Sequence, residues 1–365
     1  MDEPTPLEAE IRRRIEAAGP MPVAEYMALC LTDHRWGYYA TRDPFGARGD
    51  FVTAPEISQM FGELIGLWMA AVWHRMGEPA KVGVIELGPG RGTMMVDALR
   101  AAKVMPGFRE AAALHFVEVS QLLQAQQERT LAQLPMPMSW HRALSEVPAG
   151  PAIVVANEFF DALPVSQAVK AEDGWHERRV GLDEAGRLAF AVAPAPLAQF
   201  ERLLPDAGRK APPGAIFEWR NDTTAMELAR RLARDGGAAL VIDYGHAESA
   251  VGETLQAVGQ HAYADPLSAP GTLDLTAHVD FAALARAVEA MGAKAFGPIE
   301  QGEFLQRLGI EARAAALKGK AAPAAAADID AALARLTGHG DAGMGGLFKA
   351  AAFAQASLGT PPGFE

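Results

Sequence analysis

The middle of the chain alternates between short apolar runs and longer segments in which apolar residues recur every three or four positions. A short apolar run bounded by Gly, Pro or polar residues predicts a buried strand, and the longer spacing predicts an amphipathic helix. Because strands alternate with helices, the pattern predicts an α/β fold with a mostly parallel, doubly wound sheet. The predicted strands are 82–87, 113–119, 138–141, 152–157, 238–243, 254–258, 294–299 and 346–354, and the main helices are about 93–103, 121–133, 222–234 and 279–291.

The first 80 residues have a different pattern and predict a helical segment ahead of this core. The predicted helices are 7–18, 23–31 and 56–76. Thr53 and Glu56 have the spacing of a capping box at the start of the third helix. The preceding loop, 36–56, interleaves aromatic residues with Gly and Pro, which is typical of an ordered loop. We therefore expect residues 1–80 to cover a core formed by 81–365.

Two segments interrupt the regular alternation. Residues 165–220 contain a β-hairpin that turns at Gly186, followed by an irregular Pro- and Ala-rich stretch over 193–213. Residues 301–340 are rich in alanine, but they keep a helical stripe of larger apolar side chains. We interpret the first segment as an insertion and the second as helical.

Composition narrows the function. The chain has 365 residues, half of them hydrophobic, and a net charge of −12, which argues against nucleic-acid binding. Its one cysteine, Cys30, and nine histidines without ligand spacing predict no metal site. No apolar run approaches the roughly 18 residues of a membrane span. The N-terminus is acidic and unlike a targeting peptide. These features favour a cytoplasmic protein without membrane insertion.

The most informative motif follows strand 82–87, where Glu86 is followed by Gly88, Gly90 and Gly92 and then by a helix. Glycines are needed where the backbone turns tightly against a ligand, and the helix N-terminus supplies free N–H groups. This E-x-G-x-G-x-G pattern differs from the G-x-G-x-x-G of dinucleotide sites. The strand carries its own carboxylate into the site, which suits the cationic amino-acid tail of S-adenosylmethionine (SAM). A plain strand-to-helix turn explains one glycine but not three.

Other candidate ligands of this cofactor follow the next strands. Glu118 ends the second strand, where an acid accepts hydrogen bonds from both ribose hydroxyls in nucleotide-like sites. An NAD enzyme uses the same position, so Glu118 does not discriminate between the two cofactors. Leu144 follows the third strand and is a candidate for the adenine pocket or for core packing. Asn157 ends the fourth strand and faces the transferred methyl group.

Glu158 and Asp161 are the candidate catalytic residues, since they follow the fourth strand at the edge where ligands bind. Two carboxylates can bind a guanidinium group through bidentate hydrogen bonds and localise its charge on one nitrogen. Either acid could instead cap the following helix. His278 is a third candidate, as a proton acceptor with an ordinary pKa near 6.5. A loop histidine bound to backbone is an equally good interpretation.

Taken together, these motifs resemble the MidA family of SAM-dependent methyltransferases, which includes a mitochondrial protein arginine methyltransferase needed for respiratory complex I assembly. The segments that carry the resemblance are 49–59, 86–93, 117–120, 156–164, 242–245 and 274–281. The resemblance implies a seven-stranded methyltransferase core, SAM as donor and a protein arginine as acceptor, with a subunit of complex I as a possible one. It also implies that residues of the first three segments contact SAM, which adds Asp50, Thr53, Pro89, Thr93, Val119 and Ser120 to the candidate site.

Three alternatives stay open. A small-molecule methyltransferase would have the same donor site with a closed apolar acceptor cavity. An assembly factor would bind SAM without turnover. An NAD-dependent oxidoreductase is disfavoured by Glu86 and by the glycine spacing. The apolar faces of helix 56–76 also leave room for an oligomer.

Overall fold

The computed structural model describes residues 4–42, 53–259, 262–340 and 342–365. Its strands are β1 (Met21–Pro22), β2 (Val82–Leu87), β3 (Ala112–Val117), β4 (Met138–His141), β5 (Ala152–Asn157), β6 (Val165–Ala171), β7 (Gly174–Leu182), β8 (Leu188–Pro196), β9 (Ile216–Arg220), β10 (Gly237–His246), β11 (Gln256–Gly259), β12 (Ala262–Ala264), β13 (Asp274–Thr276), β14 (Val279–Asp280), β15 (Ala293–Glu300) and β16 (Phe348–Gln355).

The helices occupy the connections and the N-terminal segment. They are α1 (Pro6–Ala18), α2 (Val23–Thr32), α3 (Tyr38–Thr41), α4 (Ala54–Ile57), α5 (Gln59–Arg75), α6 (Thr93–Ala101), α7 (Pro106–Ala111), α8 (Gln121–Leu131), α9 (Asp206–Arg209), α10 (Thr223–Asp235), α11 (Phe281–Ala290), α12 (Gln301–Arg307), α13 (Ile310–Lys318) and α14 (Pro323–Thr337). In the ranges the structure describes, no helix combines the length and the apolar character needed to cross a bilayer.

The main sheet has the order β15-β16-β10-β5-β2-β3-β4. Strands β10, β5, β2, β3 and β4 run parallel, and β16 is antiparallel to both of its neighbours. This confirms the predicted seven-stranded, mostly parallel α/β sheet. The chain leaves β2 toward β3 and β4 but later returns to β5 and β10 on the other side. Ligands of such sheets bind where the order reverses, at the carboxyl ends of the strands, here those of β2 and β5.

Helix α5 packs closely on α6, the helix that follows the glycine motif. Gly62 and Gly66 face α6, and a Cβ on Gly66 would lie 2.1 Å from the carbonyl oxygen of Ala98. Twelve of the seventeen residues of α5 are buried. The two glycines therefore let α5 fix the position of α6.

The predicted capping box at Thr53 and Glu56 is wrong. Thr53 makes no side-chain capping bond. The predicted helix is interrupted at Ser58, whose Oγ accepts the N–H of Met60 at the start of α5. Glu56 instead accepts the hydroxyl of Thr93, 2.6 Å away, at the first turn of α6. The spacing of a capping box was present, but a contact with a distant segment replaced it.

The inserted segment contains the predicted hairpin, β7 and β8, but this hairpin is part of a second sheet that the sequence did not predict. Strands β6 to β9 are antiparallel, and β1 of the N-terminal segment pairs with β7. The hairpin turn at Gly186 lies where the sequence predicts it. Apolar residues of α1 and α2 share one core with β6 and β7.

Candidate functional site

Two cavities lie at the carboxyl ends of β2, β3 and β5. The larger has a volume of about 320 Å³ and is bordered by residues that follow these strands and by Leu31, Thr32 and Tyr39 of α2 and α3. The smaller, of about 40 Å³, is bordered by the glycine motif and by residues 53–56. The two cavities share Gly88, Gly90 and Glu158. Glu158 therefore marks their junction.

The glycine motif turns through backbone conformations that favour glycine. Gly88 and Gly90 have φ values of +63° and +55°. A Cβ on Gly88 would lie 2.9 Å from the ring of Phe159, which follows β5. The motif thus requires glycine both for its conformation and for its approach to the neighbouring loop.

Glu86 lies next to the end of β2 and is 2% exposed. Within the described ranges, its Oε2 atom has no hydrogen-bond partner. Burial raises the pKa of Glu86 to about 8. A buried carboxylate without a partner is costly, so this position suits a cationic ligand group. The ammonium of the SAM tail fits this requirement, and Glu86 borders the smaller cavity.

Glu118 is tied to the glycine motif through Gln127 of α8. The Glu118 carboxylate accepts the N–H of Ser120 at 2.8 Å and the amide of Gln127 at 3.0 Å. The same amide nitrogen of Gln127 donates to the carbonyl of Gly90 at 2.8 Å, and its oxygen accepts the indole N–H of Trp140. Burial raises the pKa of Glu118, and the bonds from Ser120 and Gln127 lower it. Sequence reasoning missed Gln127, since a helical glutamine gives no signal of such contacts.

The remaining donor-site candidates are distributed around the same two cavities. Glu118, Val119 and Leu144 border the larger one, and Thr53, Glu86, Pro89, Thr93 and Asn157 border the smaller one. Ser120 borders neither, but its hydroxyl donates to the carbonyl of Tyr39 at 2.5 Å and so connects α8 to α3. Gly92 is the N-cap residue of α6. Asp50 lies outside the described residues.

The loop after β5 holds Glu158 in an unusual conformation. Its φ is +51°, in the left-handed region that non-glycine residues rarely occupy. Its Oε1 accepts the N–H of Ala54 at 3.3 Å and the amide of Asn157 at 3.1 Å. The residue is half-buried and borders both cavities. Burial of its carboxyl, together with Asp161, raises the pKa of Glu158 to about 8.

Asp161 does not join Glu158 at the cavities. It is 5% exposed and borders neither of the two. The pKa of Asp161 is raised to about 6, because the effect of burial outweighs the lowering by the Tyr244 hydroxyl and by Arg220. Its carbonyl accepts N–H groups of Ala277 and of Arg220. The expected pair of carboxylates is therefore divided between the cavity wall and the interior.

His278 borders a third cavity, of about 610 Å³, between the inserted sheet, α10 and α11. The backbone N–H of His278 donates to the Thr254 hydroxyl, and its backbone carbonyl accepts from the Arg220 guanidinium. Burial lowers the pKa of the His278 ring. The structure does not bring His278 to the cavities that contain Glu86 and Glu158. In the described ranges, no three His, Cys, Asp or Glu residues form a metal-binding group.

Comparisons with known proteins agree with this geometry. A family model described as "Putative S-adenosyl-L-methionine-dependent methyltransferase" matches residues 64–299. The "Protein arginine methyltransferase NDUFAF7 homolog, mitochondrial" of Drosophila melanogaster is 41% identical over 347 residues, covering 87% of this chain and 78% of that protein. The human "Protein arginine methyltransferase NDUFAF7, mitochondrial" is 38% identical over 351 residues, covering 87% and 76%.

A solved structure supports the donor directly. The crystal structure of a Burkholderia thailandensis protein bound to S-adenosylhomocysteine, the product left when SAM loses its methyl group, superposes with a TM-score of 0.83 at 31% identity. The match covers 100% of this chain and 97% of that one. The donor predicted from the glycine motif is confirmed. The expected cytoplasmic location is wrong, because the Drosophila and human relatives are named as mitochondrial proteins. With its fold, its SAM-type site and these relatives, the chain belongs to the S-adenosyl-L-methionine-dependent methyltransferase family that the matching model describes.

Proposed function

We propose that this methyltransferase transfers the methyl group of SAM to a guanidinium nitrogen of a protein arginine, and that Glu158 is the residue that faces the acceptor. The observation that carries the proposal is the position of Glu158 at the junction of the two cavities. A ligand that extends from one cavity to the other has its centre there. When bound, SAM supplies an electrophilic methyl group on a sulfonium.

The donor would be held by residues on both sides of that junction. Glu86 would pair with the ammonium of the methionine end, with Asn157, Thr53, Pro89, Thr93 and the backbone of Gly88 and Gly90 around it. Glu118 would accept the ribose hydroxyls, and Val119 and Leu144 would line the adenosine side. Gly92 would direct the first turn of α6 toward the ligand, and Ser120 would hold α8 against Tyr39. The Oδ1 of Asn157 and the Oε2 of Glu86 have no hydrogen-bond partner in the part of the chain that the structure describes, which supports this assignment.

The acceptor role of Glu158 follows from charge and protonation. Arginine is cationic with a pKa above about 12, so its nitrogens are poor nucleophiles until its charge is localised. A carboxylate that bonds one edge of the guanidinium localises the charge and leaves another nitrogen to attack the methyl group in line. An approaching cation also favours the ionised form of Glu158. Catalysis would come mainly from positioning the two reactants.

We propose different roles for the other two candidates. Asp161 would stabilise the loop from the interior instead of binding the acceptor, since it borders neither cavity. His278 would take no part in the transfer, because its cavity is a different one.

The test is transfer of a tritiated methyl group from SAM to proteins extracted from cells that lack this gene. Acid hydrolysis of the labelled proteins identifies the methylated residue. We expect label in methylarginine with the wild type, loss of that label with Glu158→Gln, and full activity with Glu289→Gln, an exposed position on α11. Label in another residue or in small molecules would contradict the arginine proposal. SAM binding without any transfer would favour the assembly-factor alternative.

We further propose a subunit of respiratory complex I as the acceptor, as the family resemblance implies, and the names of the relatives support a protein arginine. Mass spectrometry of complex I subunits from cells with and without the gene tests this step. An arginine methylated only when the gene is present supports the proposal, and identical methylation in both cells contradicts it. Association of copies through α5 also stays a prediction, for which sedimentation of the purified protein is the measurement.

A further inference from the structure

Asp243, at the end of the neighbouring strand β10, contacts the loop that carries Glu158 but neither cavity. Its Oδ2 accepts three consecutive backbone N–H groups, those of Phe159, Phe160 and Asp161, at 3.2, 2.9 and 3.2 Å. Its Oδ1 accepts the N–H of Tyr244 at 3.0 Å. The side chain is fully buried. All four of these bonds come from backbone donors. Burial, together with Asp161 and Glu158, raises the pKa of Asp243, and the backbone bonds and Arg220 lower it.

The three N–H groups directly follow the residue with the positive φ. A non-glycine residue in the left-handed region is strained and persists only where surrounding contacts impose it. The Ile242 carbonyl, one residue before Asp243, accepts the N–H of Glu158 itself at 2.9 Å. Four successive N–H groups of the loop are therefore bound by two adjacent residues of β10.

A second contact closes the other end of the loop. The guanidinium of Arg220 donates to the carbonyls of Asp161 and Leu163 and to those of Ala277 and His278, at distances between 2.5 and 3.1 Å. Asp243 thus binds the N–H groups at the start of the turn, and Arg220 binds carbonyls at its end. Together these contacts restrain the backbone of the loop that carries Glu158 at both of its ends.

We propose that Asp243 is the positioning residue of the transfer step: by binding the N–H groups of Phe159, Phe160 and Asp161, its carboxylate imposes the left-handed conformation that places the Glu158 carboxyl at the junction of the two cavities. This inference rests on the proposed role of Glu158. It assigns to Asp243 no contact with SAM or with the acceptor.

The test measures the Glu158 carboxyl directly. Protein labelled with carboxyl-¹³C glutamate is titrated by NMR without ligand, and the Glu158 signal is identified by its loss in Glu158→Gln. We expect a wild-type midpoint of about 8. In Asp243→Ala the turn relaxes and Glu158 leaves its enclosed position, so the midpoint moves toward the ordinary glutamate value of about 4.3. Asp280→Asn, a matched change at the N-cap of α11, leaves it unchanged.

Asp243→Asn is the second variant, for the case that the alanine variant does not fold. Its amide oxygen still accepts the three N–H groups, but an amide has one acceptor oxygen where the carboxyl has two, so the N–H of Tyr244 loses its partner. We therefore expect a midpoint between those of the wild type and the alanine variant. A folded Asp243 variant whose Glu158 midpoint equals that of the wild type would overturn the inference.

Methyl transfer to the extracted proteins separates the two proposals. We expect Asp243→Ala to lower transfer by about 10²-fold, the size of effect expected when a reacting group is misplaced by about 1 Å, with unchanged affinity for S-adenosylhomocysteine. If the wild type transfers no methyl group to arginine while the Glu158 midpoint still moves, the proposed function fails and the positioning role stands. Full transfer by Asp243→Ala would also overturn the positioning role.

Discussion

Glu86 near the end of β2 and Glu158 in the loop after β5 each place a carboxyl group with a pKa of about 8 beside the cavities, but the two groups differ in their hydrogen-bond partners. The Oε2 of Glu86 has no partner among the described residues, whereas Glu158 accepts two N–H groups and sits in a backbone conformation fixed by β10. Under the proposed assignment, a ligand cation is the partner of the Glu86 carboxyl. The Glu158 carboxyl is held by the protein itself, so it is in place before the reactants arrive.

This difference suits Glu86 to binding the donor and Glu158 to orienting the acceptor. A group whose charge has no partner in the free protein gains most from binding a cation. A group that the fold already positions loses little freedom when an acceptor arrives, which is the requirement for catalysis by proximity. The predictions below test this division, beginning with the change that disrupts both loops.

Gly88→Ala is the substitution expected to have the largest effect. The new Cβ would meet Phe159 at 2.9 Å and would require a positive φ of +63°. Strain of about 1–3 kcal/mol corresponds to a loss of SAM affinity of roughly 5- to 160-fold, measured by titration calorimetry. Gly83→Ala in β2 is the matched control, because the nearest atom to its Cβ lies 3.5 Å away. Equal losses in both variants would contradict a specific role for the motif.

Glu86→Gln tests the carboxyl near the end of β2, whose Oε2 has no partner among the described residues. The amide keeps the shape of the side chain but removes the charge that would pair with the ammonium of SAM. A hydrogen bond to a charged group contributes about 1.5–3 kcal/mol, so affinity should fall by roughly 10- to 100-fold. Without ligand, the variant should be more stable than the wild type at pH 8, because a buried carboxylate has been removed. A less stable variant with normal affinity would refute the assignment of Glu86.

The pH dependence of SAM binding sharpens the same point. Glu86 is protonated in the folded protein below about pH 8, and its carboxylate must form to pair with the ammonium. Affinity should therefore rise by up to about tenfold per pH unit between pH 6 and 7.5, with release of a proton. Calorimetry in buffers of different ionisation enthalpy counts that proton. An affinity that does not change with pH would contradict the account.

In the unliganded protein, the raised pKa of Glu86 lowers the free energy of unfolding as the pH rises. The pKa of Glu86 is about 8 when folded and near 4.3 when unfolded, so the folded state binds more protons between these values. The free energy of unfolding should therefore fall as the pH rises from about 4.3 to 8, and the raised pKa of Glu158 acts in the same direction. Denaturant unfolding at several pH values measures this fall.

Gln127→Leu is the smallest of these effects. The substitution leaves Glu118, the Gly90 carbonyl and the Trp140 indole each without one hydrogen bond. Unsatisfied buried groups cost about 1–3 kcal/mol, so the loss should appear mainly in stability, with a several-fold decrease in SAM affinity. Thermal unfolding with and without S-adenosylhomocysteine separates the two. An affinity loss as large as that of Glu86→Gln would show that this network, and not the charge of Glu86, dominates donor binding.

The two loops also differ in what the sequence could predict. The motif around Gly88 and Gly90 is local: a strand, an acid, glycines and a helix start lie within a dozen residues, and each requirement is visible in the residue type. The strands of the core were predictable for the same reason, since β2, β4 and β5 have the predicted bounds.

The loop after β5 depends on residues far along the chain. Nothing in the spacing of Glu158 and Asp161 shows that one borders the cavities and the other is buried, because this loop contacts Arg220 and Asp243, which lie 59 to 84 positions away. The capping box at Thr53 failed similarly, when Glu56 bonded to Thr93 instead. The second sheet was missed because its strands β6 and β9 pair across about 50 intervening positions, so no local pattern marks them.

The most direct test of the central claim is a pair of measurements made on two variants. SAM affinity and methyl transfer to the extracted proteins are measured for the wild type, Glu86→Gln and Glu158→Gln. The account predicts that Glu86→Gln loses affinity, while Glu158→Gln keeps SAM affinity close to that of the wild type and loses transfer at saturating SAM. Equal loss of affinity in both variants, or undiminished transfer by Glu158→Gln, would contradict it.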